Sequence, residues 1–171
     1  MVLSTFNHIA VDKQTRVRNA LLHEFVEHPL AEAQVARIVQ EAEIARGAFY
    51  KYFTDLTDAY NYTFAFVMGA VHQGVPEPAR GGTPDDYVES IRRFIDAVDQ
   101  QGFREFVAMY YQYDEGVVGV KPTPVLVGAD GSRRWAVAVL CHQTVRDVIL
   151  DRAHTDERLT QLHAALQNQC G

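Results

Sequence analysis

Residues Val35 to Phe53 constrain this chain more than any other stretch. Val35, Ile38, Val39 and Ala42 fall at i, i+3, i+4 and i+7, which draws one apolar stripe along a short helix. Glu43-Ile44-Ala45 is too short for anything but a turn, with Ile44 placed to tuck beneath it. Helical spacing then resumes at Ala45. Phe49 and Phe53, at i and i+4, mark one side of this second helix, and Arg46, Gly47, Tyr50 and Lys51 mark the other. Two short helices joined by such a turn form a helix-turn-helix, whose second helix enters the major groove of DNA.

The remaining periodicities surround that unit with further helices. Thr15 is placed to cap a first helix whose apolar face is Val17, Ala20, Leu21 and Phe25, and Pro29 stops it. Residues 1 to 13 read as an arm with no role of their own. Thr57 or Asp58 can cap a fourth helix, in which Ala59, Tyr62, Thr63, Phe66, Ala70 and Val71 repeat as far as Gly74. The clearest break is VPEPARGGTP, residues 75–84, expected to be a mobile loop. Beyond it Tyr87, Ile91, Phe94, Ile95 and Val98 share a face, Gly102 interrupts, and Phe103 to Tyr113 is dense in aromatics. GVVGVKPTPVLVGADGS, residues 116–132, is the least helical stretch, and its VLV reads as loop rather than strand. Two helices close the chain, one from Arg133 to Arg152 and one from Asp156 to Asn168 with Leu159, Leu162 and Leu166 in a row. The expected fold class is all-α. A three-helix helix-turn-helix domain is expected at 1–56, and a helical ligand-binding and dimerisation domain at 57–171.

At the level of residues, Ile38-Val39, Ala42-Glu43-Ile44-Ala45, Arg46-Gly47-Ala48-Phe49-Tyr50-Lys51-Tyr52-Phe53 and Leu56-Thr57-Asp58-Ala59 resemble the DNA-binding signature of the TetR family of bacterial regulators. A local basic cluster that includes Arg37, Arg46 and Lys51 is placed to face DNA, with Arg46 near the start of the second helix able to reach base edges and Gly47 and Ala48 allowing close approach. The resemblance implies that Tyr50 binds a phosphate and that Lys51 and Tyr52 touch backbone or bases. It further implies a homodimer, formed by the last two helices, on a palindromic double-stranded operator. A small-molecule effector, of unknown identity, would bind among aromatic side chains, with Tyr62, Phe66, Phe94, Phe106, Met109, Tyr110 and Tyr113 as candidates. Such a regulator represses until the effector shifts it to a state that no longer fits DNA. Three positions depart from the family pattern. Glu43 stands at the usual Gly, where a positive φ is called for. Ala45 lacks the hydroxyl that would cap the recognition helix, and Leu56 replaces a cation.

Composition bears on what else the chain can be. With 171 residues, 47% hydrophobic and 22% charged, it is an ordinary globular sequence. It has no apolar run of roughly 18 residues, and no membrane span is expected. Its N-terminus lacks the pattern of an export signal, which points to the cytoplasm. Cys141 and Cys170 have no metal-ligand or redox spacing, so no metal site and no cofactor are expected. No nucleophile elbow or phosphate loop suggests catalysis, and no catalytic residue is assigned. Charge pulls the other way. The net charge is -6, and residues 1–60 hold six Lys or Arg against eight Asp or Glu, whereas DNA-binding domains are usually basic. A competing reading is therefore a coregulator with the same fold that acts through a protein partner.

Overall fold

A computed structural model describes residues 4–75, 78, 82–119 and 122–170. Among these residues the chain is helical and contains no strand. It separates into two compact units, Met1–Ala70 with Glu105–Val120, and Val71–Arg104 with Lys121–Gly171.

The first unit contains α1 (Ser4–Asn7), α2 (Val11–Glu27), α3 (Val35–Glu41), α4 (Arg46–Tyr52) and most of α5 (Leu56–His72). It also holds most of α7 (Arg104–Met109), a π-helical turn Tyr110–Asp114, and α8 (Glu115–Val118). Val17, Ala20, Leu21 and Phe25 of α2 are buried, as their spacing predicts. Thr15 is not the cap. The helix starts four residues earlier, behind Ala10, and the Thr15 hydroxyl donates to Val11 O at 3.0 Å inside the helix. Residues 4–13 are no inert arm either. Phe6 is fully buried, its ring 5.2 to 5.4 Å from those of Tyr52, Phe53 and Tyr62. At α5 the capping residue is Asp55, which accepts from Asp58 N at 2.7 Å while Asp58 accepts from Thr54 N at 3.1 Å.

In the second unit, α6 (Pro84–Gln100) opens with a reciprocal cap between Thr83 and Asp86 and with Pro84 at its first position. Ile91 and Ile95 of α6 meet Val137 and Val148 of α9 (Gly131–Leu150) and Leu159, Leu162 and Leu166 of α10 (Thr155–Cys170) in one core. The leucine row of the last helix, read as part of a dimer face, is thus interior. The large apolar side chains that α9 leaves exposed are Trp135, at 48%, and Leu150. Arg104 terminates α9 by donating to Val148 O at 3.0 Å and Ile149 O at 3.1 Å, a cation on the orphan carbonyls of a helix end. Asp99 orients that guanidinium, which in turn holds the Asp99 carboxyl below the usual carboxylate range. Half of the proline- and glycine-rich break at 75–84, and residues 120–121, lie outside the described residues. The described residues of the VLV stretch are irregular, with Val125 and Val127 exposed.

Candidate nucleic-acid interface

α4 is an amphipathic helix with its two faces set by 3.6-residue spacing. Phe49 and Tyr52 face inward, and Phe53 follows them into the core. Arg46, Gly47, Tyr50 and Lys51 are exposed, with Ala48 half-buried at the margin. Tyr50 is 46% exposed, and its ring stands edge-on to Phe49 at 5.3 Å, which restricts where its hydroxyl can reach. Nothing crowds Gly47: a Cβ there would meet no atom within 4 Å. Among the described residues Arg46 and Lys51 make no ion pair, and α4 itself carries no acid.

Tyr52 does not belong to this surface. It is 4% exposed because it follows Phe49 by three residues and shares its inward face. Its ring packs on Phe6, and the ammonium of Lys13 lies 5.9 Å from the ring centroid. Lys13, which its spacing in the sequence left unassigned, is thereby brought beside α4. Arg37 is also committed elsewhere. Its Nε donates to both carboxylate oxygens of the buried Glu24, at 3.0 and 2.9 Å, and Nη2 donates to Glu32 O at 2.9 Å. Glu24 also accepts from Gln34 N at 2.7 Å, and so holds the start of α3. Two of the eight acids of residues 1–60, Glu24 and Asp58, are buried within the fold, so the count overstates the charge presented to solvent.

The turn between α3 and α4 carries the strain anticipated for it. Glu43 has φ of 54°, the one positive φ outside glycine among the described residues. For a side chain with Cβ that conformation costs about 1–2 kcal/mol. Ala45 takes the extended N-cap conformation but makes no side-chain cap bond. Glu43→Gly is accordingly expected to raise stability by about 1 kcal/mol, and Ala45→Ser by a similar amount, as measured by chemical denaturation. No gain from either would mean the turn is not strained in solution. Leu56 is the half-buried first residue of α5.

The aromatic candidates do not converge on one cavity. Tyr62 and Phe66 face α2: the Tyr62 hydroxyl accepts from Arg18 Nε at 2.8 Å, and the Arg18 guanidinium lies 5.3 Å from the Phe66 ring centroid. The opposite side of α5 presents Tyr60 and Phe64, both missed in the sequence, to Phe106 and Tyr110. The Tyr110 ring lies 4.7 Å from that of Phe64. Met109 is half-buried and Tyr113 is exposed. Phe94 belongs to the second unit, 5.2 Å from the His72 ring. A cavity of about 350 Å³ in that unit is lined by Tyr87, Val127, Arg133, Arg134 and Val137 among others, and by none of the candidates. The Cys141 thiol is pushed up to about 11 by burial, the state of an unreactive core thiol. Among the described residues there is no cluster of three or more potential metal ligands, and no helix is long and apolar enough to cross a membrane.

Comparison with known proteins bears on this arrangement. Residues 18–56, which run from α2 to the first residue of α5, match the family model described as bacterial regulatory proteins, tetR family. No curated protein sequence matches the chain. Among solved structures, a TetR family transcriptional regulator from Chloroflexus aurantiacus J-10-FL superposes with a TM-score of 0.62 at 16% identity, covering 99% of this chain and 97% of that one. A TetR transcriptional regulator from Rhodococcus sp. RHA1 aligns at 17% identity over 92% of this chain and 94% of that one, with a TM-score of 0.48. The first shares the fold across the whole chain, and the match at 18–56 falls on the helices that form the exposed Arg46–Lys51 surface. Residues 18–56 are thus similar to the helix-turn-helix head of the tetR family of bacterial regulatory proteins, and the chain shares its fold with the Chloroflexus structure.

Proposed function

We propose that this chain is a sequence-specific DNA-binding regulator of transcription whose α4 reads the major groove. The observation that carries this reading is the exposed row Arg46, Gly47, Tyr50 and Lys51. The row stands on a rigid aromatic floor of Phe49, Tyr52, Phe53 and Phe6. Arg46 is the base-reading residue, since an Arg fork matches the acceptor pair of guanine. Tyr50 and Lys51 bind phosphates and position the helix without selecting sequence. Arg37 and Tyr52 serve the head from within. The working unit is a twofold homodimer on a palindromic operator, acting in the cytoplasm as a repressor. A small-molecule effector releases it, with Phe106, Met109 and Tyr110 of α7 and the π-turn as its candidate contacts. Exposed Trp135 and Leu150 on α9 support a dimer contact there.

Titration of the protein against its own upstream DNA across a salt series tests the reading. Arg46→Ala is expected to weaken specific binding by roughly 10- to 100-fold and to relax sequence choice. Tyr50→Phe is expected to weaken specific and nonspecific binding alike by a few-fold. Affinity should fall steeply with salt, because each neutralised phosphate releases counterions. Absence of specific binding at low salt would sink the proposal and favour a coregulator that docks on a protein. The exposed acids that border the head, Glu41 and Glu43 among them, would then be part of the docking face.

A further inference from the structure

We propose that Asp114 is a releasable latch between the π-helical turn and the link that enters the helix-turn-helix, a regulatory role that rests on the DNA-binding reading above. Asp114 closes the π-turn Tyr110–Asp114 and is fully buried. Its Oδ1 accepts the backbone N–H of Leu30 at 2.8 Å, across 84 residues of sequence. Leu30 lies in the short turn between α2 and α3, where Glu32 N donates to Pro29 O at 2.8 Å and Ala33 N donates to Leu30 O at 3.3 Å. The carboxyl therefore fixes the point from which α3, and after it α4, set out.

The choice of an acid here is the unexplained fact. Among the described residues no cation pairs with Asp114. Burial lifts its carboxyl above the usual carboxylate range, against the hydrogen bond from Leu30 and the nearby Tyr60 hydroxyl. Tyr60 of α5 and Tyr110 of its own turn are the titratable groups facing this cluster, and burial followed by the charge of Asp114 pushes the Tyr60 hydroxyl upward. Tyr60 Oη and Asp114 Oδ2 face each other within the buried cluster but fall short of ordinary hydrogen-bond geometry, so the second carboxylate oxygen is weakly held. An asparagine would accept the Leu30 N–H equally well with no charge to desolvate. The acid makes the latch weaker than it could be, and therefore able to open.

The turn supplies the means. A π-turn holds one residue more than an α-turn, so its return to α register rotates the chain beyond it by about 100°. That rotation takes Asp114 away from Leu30. The rings gripping the turn, Tyr110 on Phe64 and Phe106 on Tyr60, are where displacement of the helical core would be felt first. Release of Leu30 frees the link and lowers affinity for DNA.

Amide hydrogen exchange of the full chain, run beside titration with its upstream DNA, tests the latch. In Asp114→Ala the Leu30 amide is expected to exchange roughly tenfold faster or more, the change is expected to spread to the α3 and α4 amides, and operator affinity is expected to fall by a similar factor. Asp114→Asn should protect Leu30 at least as well as the wild type. A folded state that raises the carboxyl pKa is favoured below its unfolded value and penalised as pH rises through the folded one. Asp114→Asn should therefore melt above the wild type at pH 8, with the gap closing toward acid. Unchanged Leu30 exchange in Asp114→Ala would overturn the latch, as would faster exchange confined to Leu30 or accompanied by undiminished operator affinity. If the wild type binds no DNA, the DNA-binding reading fails, and the spread of exchange alone decides the latch. If Asp114→Ala does not fold, a pH-independent gap between Asp114→Asn and the wild type overturns it, and a closing gap supports it.

Discussion

Phe6→Ala is expected to lower stability by about 3 kcal/mol, the range for truncating a fully buried phenylalanine. For a chain of this size that corresponds to a fall in melting temperature of roughly 6–12 °C. The ring comes from the four-residue helix α1 at the N-terminal edge of the head, yet it contacts Tyr52 and Phe53 at the end of α4 and Tyr62 of α5. Three aromatic neighbours at 5.2 to 5.4 Å in tilted and edge-on geometries add pair terms beyond the area buried. Phe6→Leu should recover most of the loss, because it refills the volume. A change below about 1 kcal/mol in Phe6→Ala would mean that the N-terminal segment is not packed in solution. The consequence for function comes from position. The ring supports the inward face of α4, so truncation should loosen the exposed Arg46–Lys51 row and weaken DNA binding while touching no residue of that row.

That a lone aromatic near the start of the chain should serve as a keystone was not legible in the sequence. Val2, Leu3, Ile9 and Ala10 stand at helical spacing from Phe6, but so short a stretch does not separate a packed face from an arm. The two faces of α4 were legible, because Phe49 and Phe53 repeat at i and i+4 and the polar residues fill the gaps. The same spacing places Tyr52 inside, three residues from Phe49; the family pattern drew it outward, and geometry prevails. On α5, Tyr62 and Phe66 were read as cavity residues, whereas Tyr60 and Phe64 present the opposite side of the helix to Phe106 and Tyr110. An apolar stripe all round a helix does not say which side meets which partner. Glu43 was legible through the resemblance, which sets a Gly at its place in the turn, and the φ of 54° is the conformation that such a Gly supplies. Asp114 was not, because nothing local marks a carboxylate that will be buried against an amide 84 residues away.

The Glu24–Arg37 pair carries the second large effect. Arg37→Ala is expected to cost about 2–3 kcal/mol. That is below the full value for a broken buried pair, since the Arg37 side chain is 36% exposed and water can reach the site. The variant retains a Glu24 carboxylate, 4% exposed as a side chain, that keeps the Gln34 N–H but has lost its counter-charge. The pH dependence discriminates this from a simple loss of surface charge. Burial by itself would raise the Glu24 carboxyl, but the Arg37 guanidinium and the Gln34 N–H together hold it below the ordinary glutamate range. A depressed carboxyl contributes stability that is present above the unfolded pKa and is lost as pH falls through the folded one. The gap between the wild type and Glu24→Gln should therefore be full near pH 7 and close on acidification below about 4.3. Urea midpoints measured across that range provide the check, and a gap that persists undiminished at the lowest pH would remove Glu24 as its source. The same pair decides how Arg37 acts on DNA. If its work is to hold α3 through Glu24, the affinity lost in Arg37→Ala should track the loss of folded protein and return on cooling or with a stabilising Glu43→Gly. If Arg37 instead binds phosphate, the loss should persist in fully folded protein and the salt slope should fall by about one.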